Sequence, residues 1–116
     1  MSYDDFDVIV YKLLSYLYEC LKNDITPNAI KAQEIAKCNN TYFAAVIKSL
    51  KQDGYVTGNF TSAWGGDIVT FDISITQSGA RYLSEDSQME AVSAWLGKAF
   101  SAILEAAIKA TIALSQ

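Results

Sequence analysis

The chain contains no histidine, one proline and only two cysteines among its 116 residues. Without histidine, the protein lacks the usual general base and the commonest metal ligand. Cys20 and Cys38 are too far apart for a CxxC pair, and they match no zinc-site spacing. No nucleophile, base or phosphate-binding loop is visible either. We therefore predict no catalytic residue, no metal and no cofactor, and the protein is not expected to be an enzyme.

Charge is also scarce, with 19% charged residues and a formal net charge of −4, whereas 51% of the residues are hydrophobic. This composition is too apolar for a disordered chain. The acidic N-terminus differs from a signal peptide, which begins basic. The most apolar stretch, residues 91–114, is interrupted by Lys98, Glu105 and Lys109, and each charge at a bilayer centre costs about 3 kcal/mol. We predict a cytoplasmic protein with no membrane partner.

A cytoplasmic location implies that both thiols are reduced. Cys20 and Cys38 are then expected to act as small core residues. A disulfide between them is the alternative.

A first helix is predicted over residues 4–22, because apolar residues recur there at steps of three and four. The apolar stripe consists of Phe6, Ile9, Val10, Leu13, Leu14, Leu17 and Leu21. The tyrosines of this segment lie mostly off the stripe; they are Tyr11, Tyr16 and Tyr18. The helix is expected to stop near Asn23, because Pro27 disfavours the helical conformation of the residue before it.

Two shorter helices follow. The second is predicted over residues 29–36, with Pro27 or Asn28 near its start, and its inward residues are Ile30, Ile35 and Ala36. A turn at residues 38–41 separates it from the third helix, since asparagine and threonine favour turns and N-caps. The inward stripe of the third helix is Phe43, Val46, Ile47 and Leu50. Gly54 is placed to end this helix.

After Gly54 the pattern changes from a helical period to alternation. Residues 55–60 and 68–75 are predicted strands, joined by turn residues 61–67 into a hairpin. A short helix over 78–83, capped by Thr76, is followed by a polar hinge and a last helix that runs almost to the end. This order predicts a mainly α fold with a small β-hairpin: a winged helix-turn-helix over residues 1–84 with a long C-terminal helix in residues 85–116. A generic α+β domain is the alternative.

Two segments resemble a known family. Tyr42 to Gly58, YFAAVIKSLKQDGYVTG, resembles the passage from helix to strand in winged-helix proteins, and Ile75 to Leu83, ITQSGARYL, resembles the element that follows the wing. Together they are similar to the YjcQ family of bacteria and phages, and more loosely to the PadR and MarR regulators. The resemblance covers about residues 6–84 and implies a winged-helix fold. A function in transcription regulation is implied only by the looser resemblance to the PadR and MarR regulators.

In a winged helix-turn-helix the third helix enters the major groove of DNA. The predicted DNA-binding residues are Asn39, Asn40, Thr41, Tyr42, Ala45, Lys48, Lys51 and Gln52. Asparagine and glutamine can read adenine, and lysine can contact phosphate or guanine. Residues 31–54 contain four lysines and two acidic residues. This segment has a positive net charge, whereas the rest of the chain is negative, so it is the part best suited to contact a polyanion. Double-stranded DNA is therefore the predicted partner.

Two features favour a different function. The only arginine, Arg81, lies outside the third helix, whereas specific DNA contacts are rich in arginine. The wing, residues 59–67, has no basic residue, and its Trp64 suits a protein contact or internal packing. The alternative is a winged-helix module that binds a protein partner through the wing and does not bind DNA.

The C-terminal helix is apolar over most of its surface and needs cover. We predict a homodimer, and the predicted contact residues are Val92, Leu96, Phe100, Ile103, Ala107 and Leu114. A helix that folds back on its own domain is one alternative. A membrane-surface helix is another, although its polar face lacks the basic excess that anionic lipids attract.

Overall fold

The computed structural model describes residues 5–62 and 68–114. Its elements in chain order are α1 (Asp5–Lys22), α2 (Ala29–Ala36), α3 (Asn40–Gln52), β1 (Val56–Ser62), β2 (Ile68–Ile75), α4 (Gln77–Glu85) and α5 (Ser87–Leu114). The predicted fold class is confirmed: three helices, a two-stranded antiparallel hairpin, the short helix α4 and a long C-terminal helix.

Helix α1 forms the centre of the molecule and contacts α2, α3, α4, α5 and β2. Its fully buried residues include Leu13, Leu14, Leu17 and Cys20. The predicted stripe is wrong at its end, because Cys20 and not Leu21 faces the core in the last turn. Leu21 is exposed.

Helices α2 and α3 meet at a turn that is defined by local hydrogen bonds. Asn28 Oδ1 accepts from the Lys31 backbone N–H at 3.0 Å and caps α2. Lys37, at φ 56°, ends α2 in the left-handed region, and Asn39 then caps α3. The prediction that Ile30 points inward is wrong: its side chain is 67% exposed. The inward face of this short helix is formed by Ala32, Ile35 and Ala36.

The hairpin follows α3 directly. Gly54 adopts φ +80° between helix and strand, a conformation that glycine tolerates best. In the antiparallel register, Val56 is opposite Ile75, and Ile73 and Ile75 bury one face of β2. The predicted cap of α4 is also confirmed, because Thr76 Oγ1 accepts from a backbone N–H in its first turn at 3.0 Å.

The long C-terminal helix is kinked, which the sequence pattern did not predict. Gly97 has φ 66° and ψ −156°, so α5 consists of two helical segments. The second segment folds back on α1, where Phe100 and Ile108 join the same hydrophobic cluster as the α1 residues. The structure therefore shows the fold-back that was an alternative at the sequence level. Helix α5 shares the core of the preceding domain.

Two of the predicted dimer contacts do not lie on the surface. Val92 and Phe100 are buried within the chain itself. In this conformation neither side chain is accessible to a second copy. Both cysteines are free thiols, with Cys20 buried and Cys38 half-buried.

Candidate nucleic-acid interface

Helix α3 has one buried and one exposed face. The buried face consists of the four predicted residues, Phe43, Val46, Ile47 and Leu50. Four of the predicted DNA-binding residues are exposed at steps of four, three and four: Thr41, Ala45, Lys48 and Gln52. Residues at this spacing lie on one side of a helix. We call these four residues the α3 stripe.

The three other candidates in the first turn of α3 have structural contacts. Asn39 Oδ1 accepts from the Tyr42 backbone N–H at 2.8 Å, which satisfies one free donor at the helix start. Asn40 Oδ1 accepts from Gln33 Nε2, which links α3 to α2. The ring of Tyr42 packs on Phe6, with centroids 6.4 Å apart. These residues hold the turn between α2 and α3, and they do not extend the α3 stripe.

Lys51, the remaining candidate, points toward the hairpin. Its Nζ donates to Asn59 Oδ1 of β1 at 2.7 Å. Asn59 is opposite Asp72 in the strand register, so this lysine has an acidic residue close by. Lys48 is therefore the cation that belongs to the α3 stripe itself. No ion pair joins it within the described part of the chain.

The remaining predicted contacts lie elsewhere. Trp64 is outside the described residues, and Arg81 is exposed on α4. Among the dimer candidates, Leu96 and Ala107 are half-buried. Ile103 and Leu114 are 46% and 59% exposed, respectively.

A buried hydrogen-bond chain fixes α5 next to the helix-turn-helix. The Asn28 backbone N–H donates to the Tyr16 hydroxyl at 3.0 Å, and Tyr16 lies 2.6 Å from Thr111 Oγ1. Thr111 in turn donates to the Ala107 carbonyl at 2.8 Å, so Tyr16 is the donor to Thr111. Burial raises the pKa of Tyr16 to about 12. The start of α2 and the last turns of α5 are thereby joined.

Sequence reasoning missed this contact because Tyr16 was predicted to lie off the main stripe of α1. Its side chain is fully buried, since α5 covers a second face of the helix. The available signal was the pair Tyr16 and Cys20, one helical turn apart on that second face.

Neither a metal site nor a membrane location follows from the described residues. No group of metal-ligating side chains was found among them. One helix there, α5, is long and apolar enough by length and composition to cross a membrane, with a mean hydropathy of 1.3. Within the chain, 17% of that apolar window is buried.

The comparisons with known proteins identify the family. A family model described as YjcQ protein matches residues 11–99, which extend from α1 to just beyond the Gly97 kink. Neither the search of curated proteins nor that of solved structures gives a match. The match covers most of the chain and includes both segments on which the resemblance was based. The chain belongs to the YjcQ family.

Proposed function

We propose that this protein is a small DNA-binding regulator of a bacterium or phage, acting as a homodimer in the cytoplasm. The observation that supports DNA binding is the α3 stripe: Thr41, Ala45, Lys48 and Gln52 form a polar, solvent-facing surface on the third helix of a winged helix-turn-helix. In this class of fold that helix enters the major groove. Ala45 gives the stripe a short side chain in its middle, which permits close approach of the helix to bases.

The division of roles within the stripe follows from side-chain chemistry. Lys48 is the proposed phosphate contact, and Lys51 lies one turn further along α3 on the side of the hairpin. Gln52 and Thr41 are the proposed base contacts, because amide and hydroxyl groups can hydrogen-bond base edges. Few lysines are available, so the salt dependence for a dimer should correspond to roughly four to eight neutralised phosphates.

The proposed dimer uses the outer face of α5. Along residues 98–114, the side away from α1 carries exposed alanines, which are Ala99, Ala102, Ala106 and Ala113. Ile103 and Leu114 border these alanines and are about half exposed. Small side chains allow two helices to approach closely, and the bordering residues add apolar area. A second copy offers a surface of the same kind, as a two-fold interface requires.

We base the cytoplasmic location on the packing of α5. The buried residues of α5 lie on both sides of its kink, and they include Met89, Val92, Phe100 and Ile108. These residues commit one face of α5 to the core of the chain.

DNA binding is tested by fluorescence anisotropy with a random-sequence duplex at low salt. We expect binding by the wild-type protein, and Lys48→Ala should reduce the slope of log K against log salt by about one. Lys98→Ala is the matched control, because Lys98 is an exposed lysine on α5 outside the stripe. Its slope should equal that of the wild type. On a selected site, Gln52→Ala should cost about 1–3 kcal/mol and have little effect elsewhere.

The absence of any anisotropy change at low salt, with the fold intact, would contradict DNA binding. An equal loss in the Lys48 and Lys98 variants would contradict the role of the α3 stripe, because it would indicate a nonspecific effect of net charge. In the first case the protein-interaction module becomes the function to test, with Trp64→Ala and any protein that co-purifies.

The dimer is tested by light scattering at micromolar concentration. We expect the wild type to have the mass of a dimer and Ile103→Glu to be monomeric or aggregated. Ser101→Glu is the matched control, since Ser101 is exposed on the same helix but away from Ile103. A monodisperse wild-type monomer would refute the dimer.

A further inference from the structure

A cavity of about 410 Å³ opens between α1 and the turn that joins α2 to α3. Its apolar wall is formed by Val8 and Ile9 of α1 and by Ala36 of α2. Two lysines also line it: Lys12, which is half-buried, and Lys37, which is exposed. This volume is within the range of small-molecule sites.

The charges of the cavity are unbalanced. Neither Lys12 nor Lys37 forms an ion pair with an acidic residue within residues 5–62 and 68–114, where the three ion pairs involve other lysines. Burial and the neighbouring Lys37 ammonium lower the pKa of Lys12. Two cations that face one cavity without a counter-charge repel each other, and an anion placed between them relieves that repulsion.

We propose that this cavity binds a small organic anion, namely a carboxylate with an apolar body. The two lysines would hold the carboxylate, while Val8, Ile9 and Ala36 would cover the apolar part. Bare phosphate fits less well, because it leaves the apolar wall uncovered. This site is separate from the α3 stripe, and the inference does not depend on DNA binding.

Cys38 supplies a built-in reporter, because it lines the cavity and is half-buried, whereas Cys20 is fully buried. The experiment measures the rate at which iodoacetamide, a neutral reagent, alkylates Cys38, followed by intact mass and peptide mapping. The probe is benzoate, and its uncharged isostere benzamide and inorganic phosphate are compared at matched ionic strength. Benzoate should slow alkylation in a saturable way, about five-fold at a concentration four times its Kd.

Variants locate the effect. Lys12→Met and Lys37→Met each remove one charge and keep most of the side-chain length, and each should abolish or strongly weaken protection by benzoate. Lys98→Met is the matched control, because it makes the same charge change on α5, outside the cavity, and it should leave the Kd unchanged. Rates are compared with and without benzoate in each variant, so a change in the intrinsic reactivity of Cys38 cancels. Lys37 is exposed, so its variant still decides the question if the Lys12 variant does not fold.

Any of four results would overturn the proposal. Protection by benzamide equal to that by benzoate would show that the lysines do not select an anion. Equal protection by phosphate would reduce the site to an ionic patch. Unchanged protection in both the Lys12 and Lys37 variants, or none in the wild type, would place benzoate outside the cavity.

Discussion

Replacing Tyr16 with phenylalanine removes a hydroxyl from the middle of the chain of hydrogen bonds that joins α2 to α5. The Asn28 backbone N–H loses its acceptor, and Thr111 Oγ1 loses its donor. A buried polar group left without a partner costs about 1–3 kcal/mol, so we expect Tyr16→Phe to lower the free energy of unfolding by that amount. Thr111→Val should cost about the same, because it leaves the tyrosine O–H without an acceptor.

A double-mutant cycle isolates the contact between the two hydroxyls. Tyr16→Phe with Thr111→Val removes both partners, so the double variant should lose less stability than the sum of the single losses. We expect a coupling of about 1 kcal/mol, since residues in direct contact typically couple by about 0.5–3 kcal/mol. The measurement is urea unfolding at neutral pH, followed by circular dichroism, for the four proteins of the cycle.

Tyr18→Phe provides the matched control for loss of a tyrosine hydroxyl. Tyr18 is half-buried on the same helix, and its ring packs beneath the Lys22 ammonium at 4.7 Å. This change should alter stability by less than about 0.5 kcal/mol. Losses that add without coupling, or an equal effect of the Tyr16 and Tyr18 changes, would refute the packing of α5 on α1.

Three further predictions concern pH, the recognition helix and the kink. Burial raises the pKa of Tyr16 from 10.0 to about 12 and that of Cys20 from 9.0 to about 11. The folded state therefore holds these two protons more strongly than the unfolded state does. The free energy of unfolding, measured by urea titration, should be constant below pH 9 and fall between pH 9 and 12. Ile47→Ala should cost about 2–5 kcal/mol, and Lys48→Ala less than about 0.5 kcal/mol, in the same assay; the reverse order would contradict the assignment of the α3 faces. Gly97→Ala should lower thermal stability by about 1–3 kcal/mol through backbone strain alone, because a Cβ there meets open space; an unchanged melting temperature would argue against the kink.

The parts of the fold that the sequence predicted correctly are those determined by neighbouring residues. The cap at Thr76 acts within three residues of itself, and Gly54 acts on the turn in which it lies. The inward stripe of α3 follows from the helical period alone. Local chemistry of this kind can be recognised without knowledge of the rest of the chain.

The errors occurred where distant parts of the chain determine the result. Gly97 has helical residues on both sides. Its φ of 66° changes the direction of α5, so that the second half of the helix returns to α1. Tyr16 is buried for the same reason. In the candidate interface, Asn40 was predicted to face DNA. Its side-chain oxygen instead accepts a hydrogen bond from Gln33 on the other side of the turn. None of these contacts can be read from the period of a single helix.

The return of α5 to α1 affects how the chain can fold during synthesis. A ribosome makes α1 before α5. Tyr16 of α1 can bond Thr111 only after a further 95 residues have been added. Phe100 and Ile108, which cover α1, are also made late. A nascent chain that has emerged only as far as the hairpin therefore exposes one apolar side of α1 to water, and such surfaces aggregate or recruit chaperones. We expect the core to close only after the last turns of α5 have left the ribosome. A premature stop near Gly97 would then yield an aggregating fragment in place of a smaller folded domain.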